Sequence, residues 1–112
     1  MARKIKAFGN HFYDFVSKLS VIEQKKVRKS LLLFSENDRF PRHFVKYIED
    51  GIYEFRVTLG NNEFRIFFIY DGETLVILFN AFRKKTQKTP RNEIERAKRL
   101  KVEYYEQKDG TL

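Results

Sequence analysis

At 112 residues, with 23 Lys and Arg against 15 Asp and Glu, a formal charge of +8 and no cysteine, the chain suits one domain over 1–112 and excludes disulfides, thiolate metal sites and a cysteine nucleophile. The 42% of hydrophobic residues, 12 Phe among them, can build a packed core. No apolar run approaches the roughly 20 residues that span a bilayer, and no apolar stretch follows the basic start Met1–Lys6, so a cytoplasmic chain with no cleaved leader, no membrane association and an anionic partner is expected.

In chain order, Lys4 to Phe8 reads as a short strand broken at Gly9-Asn10, where Asn10 can cap a helix. Phe12, Phe15, Val16 and Leu19 then recur at helical spacing. Ser20-Val21-Ile22-Glu23 is a capping box, and the helix it opens should run to about Glu36 with Val27, Leu31 and Phe34 inward. Phe44 to Ile48 reads as a strand, and Asp50-Gly51 as a turn. From Tyr53 to Leu59, apolar residues alternate with Glu54, Arg56 and Thr58. Gly60-Asn61 suits a two-residue hairpin loop into a strand over Asn62 to Tyr70, and Asp71-Gly72 suits a second one into Glu73 to Phe82. That last strand is apolar on both faces, which places it centrally in the sheet. Thr89 and Pro90 look like the N-cap and first residue of a helix ending near Gln107, before Asp109-Gly110, with Ile94, Ala97, Leu100 and Tyr104 inward.

These loops fix a register. A two-residue loop at Gly60-Asn61 sets Arg56 opposite Arg65, with Phe55 on Ile66, Val57 on Phe64 and Tyr53 on Phe68. The same logic through Asp71-Gly72 sets Arg65 against Leu78, Phe64 against Phe79 and Ile66 against Ile77. Arg56, Arg65 and Asn80 then share one sheet face, which Lys84 joins by alternation. Like charges across a strand pair repel, so two facing arginines invite an anion, and the guanidinium fork matches phosphate oxygens. Pairing of Arg56 and Arg65 with Glu54, Glu63 or helix carboxylates is the alternative. The segment 83–101 carries nine Lys and Arg against two Glu, a net +7 out of +8, which points to nucleic acid or to a solvated helix face. His11 and His43 match no metal-ligand spacing and there is no glycine-rich phosphate loop. Neither metal nor cofactor is expected.

Three blocks carry a family resemblance: Gly51-Ile52-Tyr53-Glu54-Phe55-Arg56-Val57, Glu63-Phe64-Arg65-Ile66-Phe67-Phe68, and Phe79-Asn80-Ala81-Phe82-Arg83-Lys84-Lys85-Thr86-Gln87-Lys88-Thr89-Pro90, continued by Glu93-Ile94-Glu95-Arg96-Ala97. In this order they resemble the RelE/ParE superfamily, in its phage-derived HigB-like branch. The resemblance implies an α+β, RelE-like fold: a curved, mostly antiparallel sheet with an N-terminal helical hairpin on one face and a C-terminal helix. It implies a toxin of a type II toxin–antitoxin pair, an endoribonuclease cutting mRNA on the ribosome by 2′-OH transesterification, restrained by a cognate HigA-like antitoxin with a helix-turn-helix. Arg56, Arg65 and Lys84 match the family's basic catalytic positions, and Glu54 stands as proton-acceptor candidate where RelE has a lysine. Arg83, Lys85, Lys88 and Arg91 would guide RNA. A ParE-like gyrase inhibitor and a non-catalytic basic nucleic-acid-binding module are the two alternatives.

Overall fold

The computed structural model describes residues 3–37 and 42–109. A first strand, β1 (Lys4–Ala7), leads into α1 (His11–Ser17) and α2 (Val21–Glu36). Four strands follow a short 3-10 turn at Arg42–Phe44: β2 (Val45–Glu49), β3 (Ile52–Leu59), β4 (Asn62–Asp71) and β5 (Leu75–Arg83). The last element is α3 (Arg91–Asp109). Over the described residues the architecture is α+β, a five-stranded mixed sheet with three α-helices. Its strand order is β1-β5-β4-β3-β2, with β1 parallel to β5 and every other pair antiparallel.

Ser20 begins α2 as expected. Its hydroxyl accepts from the Glu23 amide at 3.1 Å, and the Glu23 carboxylate accepts from the Ser20 amide at 2.9 Å. Ser20→Ala is expected to lower stability by about 1 kcal/mol, read from urea unfolding. Asn10 stands at the N-cap of α1 without a side-chain cap bond. Its φ of −103° and ψ of −1° are helical, whereas a capping side chain reaches over the first turn from an extended backbone.

Both faces of the sheet are covered. Phe55, Val57, Phe64, Ile66, Phe68, Val76 and Leu78 pack against Phe12 of α1 and Val27, Leu31 and Phe34 of α2. On the other face Ile52, Phe67, Ile69, Ile77, Phe79 and Phe82 pack against Ile94, Ala97 and Leu100 of α3. The β5 strand lies between β1 and β4, which explains its unbroken apolar run.

The β3–β4 register is the expected one: Leu59 faces Asn62, Val57 faces Phe64, Arg56 faces Arg65, Phe55 faces Ile66 and Tyr53 faces Phe68. The expected β4–β5 register is wrong. Asp71 pairs with Leu75, so the loop is Gly72-Glu73-Thr74, one residue longer, with Gly72 at a φ of +80°. Asp71 belongs to the strand, where Tyr104 and Lys108 of α3 hold its carboxylate. A second irregularity lies between Ile66 and Phe68: Phe68 faces Leu78 but Ile66 faces Ala81, which leaves Phe79 and Asn80 opposite Phe67. Arg65 therefore faces Phe82 rather than Leu78, and Phe64 faces Arg83 rather than Phe79. A strand apolar on both sides has no alternation to forbid such shifts. The bulge turns Asn80 toward α3, where it donates to the backbone carbonyl and the carboxylate of Glu93, both at 3.0 Å.

The start of α3 differs too. The Pro90 carbonyl accepts from the Glu93 and Ile94 amides at 3.1 and 3.3 Å, so Pro90 precedes the first helical residue. Thr89 is not the cap; its hydroxyl points elsewhere. The helix runs to Asp109 rather than Gln107, and Gly110, expected to stop it, lies outside the described residues.

Candidate functional site

Three chain segments bring charge to the α3 face of the sheet beside the start of α3. On β3, Glu54 and Arg56 alternate with Phe55 and Val57, which face the other way. On β4, Arg65 lies directly across from Arg56. Lys84 follows the last residue of β5, and its amide donates to the Glu63 carbonyl at 2.9 Å, which anchors it beside β4.

Glu54 is the hub. It is 0% exposed, and its Oε1 lies 3.2 Å from Arg56 Nε and 3.4 Å from Arg65 Nε. Thr89 donates its hydroxyl to Glu54 Oε2 at 3.2 Å. Arg65, 4% exposed, also donates from Nη2 to Glu63 Oε1 at 3.2 Å. The Arg65 Nε lies within ion-pair distance of Glu54 but is not aligned as a hydrogen bond, and Nη1 is buried with no hydrogen-bond partner. Arg56 is the open member, with a side chain 29% exposed. Lys84 is held below the ordinary lysine range, first by burial and then by the charge of Arg65, with Arg56 adding and Glu54 and Glu63 opposing. Three cations thus meet two carboxylates, and one charge is in excess.

Arg56, Arg65, Lys84 and Glu54 therefore meet as expected. Both arginines are also paired with carboxylates, the arrangement that the sequence left open as the alternative to a bare phosphate fork. Asn80 shares the face, with its Nδ2 bonded to Glu93 and its Oδ1 buried without a hydrogen-bond partner. Glu54, expected as a proton acceptor, is buried with both oxygens engaged; that geometry suits a counter-ion that aims two guanidiniums.

The four residues expected to guide RNA separate. Lys85 and Lys88 are exposed. Arg83 lies on the opposite face, bonded to Asn62 at 2.7 Å and Glu23 at 3.2 Å and over the Phe64 ring. Arg91 grips Glu49 in a two-pronged pair at 2.6 and 2.8 Å and also bonds Glu95. Lys98 joins Glu49 as well. Three of the nine cations of 83–101, Arg83, Arg91 and Lys98, thus meet carboxylates distant in sequence. His11 and His43 are exposed, and among the described residues no group of three His, Asp or Glu is placed to hold a metal ion.

The bonds from Arg91 and Lys98 pull the Glu49 carboxyl from its ordinary 4.5 to about 2. A depressed carboxyl pKa adds stability above the unfolded value and loses it as pH falls toward the folded one. The melting temperature of the native chain should exceed that of Glu49→Gln at pH 6, with the gap closing between about pH 4.5 and 2. A gap that persists at pH 2 contradicts this pairing.

One comparison bears on this arrangement. The family described as phage derived protein Gp49-like (DUF891) matches residues 14–102. The chain belongs to that family. It is a RelE-like, toxin-like family, and the match takes in β2 to β5 and every residue of the charged cluster. No curated protein matches the sequence. Among the described residues of this Gp49-like chain, no helix is long and apolar enough to cross a membrane.

Sequence reasoning did not find Thr89 as the partner of Glu54, or Glu49 as the anchor of Arg91. Thr89 beside Pro90 carries a capping signature, which hides its other use. Glu49 lies 42 residues from Arg91, beyond any local signal.

Proposed function

We propose that this Gp49-like chain is the toxin of a type II toxin–antitoxin pair, of the HigB-like branch and RelE-like fold, and a metal-independent endoribonuclease that cuts mRNA on the ribosome in the cytoplasm. A HigA-like antitoxin with a helix-turn-helix is its restraining partner. The observation that carries the reading is the meeting of Arg56, Arg65 and Lys84 on one sheet face, with one positive charge in excess.

In this reading RNA supplies the nucleophile. The 2′-oxygen bonds to its own 3′-phosphorus and gives its proton to solvent. The bond from phosphorus to the 5′-oxygen breaks, leaving a 2′,3′-cyclic phosphate and a 5′-hydroxyl. Arg56, the more exposed of the two arginines, meets the phosphate first. Arg65 backs it with a guanidinium whose Nη1 has no hydrogen-bond partner of its own. Fixed cations where the phosphorane charge develops are the largest help a protein gives such a step. Lys84 gives its proton to the leaving 5′-oxygen, a role that suits an ammonium whose pKa is lowered. Glu54 and Thr89 hold the guanidiniums in line. Lys85 and Lys88 draw the backbone in.

A second reading rests on the same cluster. Glu54 and Glu63 already pair with both arginines, which a non-catalytic, ParE-like toxin would tolerate. Induction in a growing host separates the two. The nuclease reading expects growth arrest with rapid loss of intact mRNA, abolished by Arg65→Ala at equal protein level. Arrest with intact mRNA and gyrase-linked DNA breaks would select the second reading.

A further inference from the structure

An exposed run of positive charge lies on α2, on the far side of the sheet from the exposed Lys85 and Lys88. Of the cations in 83–101, Arg83, Arg91, Arg96 and Lys98 each meet a carboxylate. Among the described residues, Lys25, Lys26, Arg28 and Lys29 meet none, and all four are exposed. The one acidic residue in the first turn of α2, Glu23, is taken by Arg83 and the capping box.

The same surface exposes aliphatic side chains. Ile22 is 69% exposed, Leu32 55% and Leu33 45%, although the inward stripe of Val27, Leu31 and Phe34 is already buried against the sheet. Ile22, Lys25, Lys26, Lys29, Leu32 and Leu33 follow one another at steps of three, one, three, three and one, which is a single helical stripe. Its aliphatic ends stand about 16 Å apart along the axis, with the three lysines between. Beside it the α1–α2 groove encloses about 220 Å³ over Val16, Val27 and Leu31, space for an apolar anchor.

We propose that this outer face of α2 is a docking surface for an acidic amphipathic helix of a partner protein, with aliphatic residues toward its ends and carboxylates between them. Charge complementarity requires an anionic occupant. RNA satisfies the lysines but leaves Ile22, Leu32 and Leu33 in water. A bilayer takes the aliphatics but draws the intervening lysines to the same depth. A helix laid along the stripe satisfies both sets at once. The surface lies across the sheet from Arg56 and Arg65, away from the face of the proposed nuclease site. On the toxin reading, an antitoxin is a natural source of such a helix.

The test uses the whole chain and three probes: a synthetic alanine-based helical peptide with glutamates between terminal leucines on one face, poly(U) RNA, and vesicles of phosphatidylcholine with phosphatidylglycerol. Amide chemical shifts report where each binds. The peptide should move resonances of α2, weaken as salt rises, and bind about tenfold or more worse to Lys25→Glu/Lys29→Glu. Leu32→Ser/Leu33→Ser, which alters only exposed side chains, should weaken it without the salt signature, and Arg65→Ala should leave it unchanged. Peptide shifts elsewhere, absence of peptide binding, or tighter occupation of α2 by poly(U) or vesicles overturns the proposal. These readouts involve no cleavage or toxicity, so they stand or fall apart from the nuclease reading.

Discussion

Glu54→Ala should lower folding stability by about 3–5 kcal/mol, the cost of breaking a buried charge pair by removing one partner. The carboxylate is fully buried and is shared by Arg56, Arg65 and Thr89. Its loss leaves Arg65, 4% exposed, with only the more exposed Glu63 as a counter-charge. It also leaves the like charges of Arg56 and Arg65 facing across β3 and β4. Glu54→Gln keeps the volume and an acceptor for Thr89, and should cost less than Glu54→Ala but more than a surface substitution. Urea unfolding of the three proteins checks the order. A loss under about 1 kcal/mol for Glu54→Ala, the range of exposed ion pairs, would mean that water already reaches the cluster.

Arg65→Ala should reduce mRNA cleavage on translating ribosomes by about a hundredfold or more, the usual effect of deleting one fixed donor to a developing oxyanion. Arg65→Lys should restore only part of this, because an ammonium cannot offer Nη1 to substrate while Nη2 stays on Glu63. The fold should survive Arg65→Ala better than Glu54→Ala, since Glu54 keeps Arg56 and Thr89. Circular dichroism at matched concentration separates lost chemistry from lost structure. Unchanged cleavage in Arg65→Ala would remove this arginine from the reaction.

The parts legible in the sequence are those with one strong local rule. The capping box at Ser20 and Glu23 fixed the start of α2. Alternation from Tyr53 to Leu59 with a two-residue loop at Gly60-Asn61 fixed the β3–β4 register, and with it the meeting of Arg56 and Arg65. The β4–β5 register was not legible, because Leu75 to Phe79 is apolar at every position and a slip moves nothing polar into the core. The bulge at Phe79-Asn80 has no side-chain signature of its own.

For the charged cluster, sequence separation was the limit. Alternation placed Arg56, Arg65 and Lys84 on one face correctly. It could not tell that Glu54 lies between the two arginines, that Thr89 returns to hold Glu54, or that Arg83 crosses to Glu23. Segment charge was incomplete for the same reason: the excess over 83–101 is local in sequence, while the carboxylates that offset part of it, Glu23, Glu49 and Asp50, come from other segments.

The most direct measurement is the end chemistry of RNA cut by the purified protein on translating ribosomes, read by end-specific ligation. Transesterification on the Arg56, Arg65 and Lys84 face predicts 2′,3′-cyclic phosphate and 5′-hydroxyl ends that disappear in the Arg56→Ala/Arg65→Ala double variant. Ends bearing a 5′-phosphate, or the same cuts at the same rate from the double variant, would contradict it.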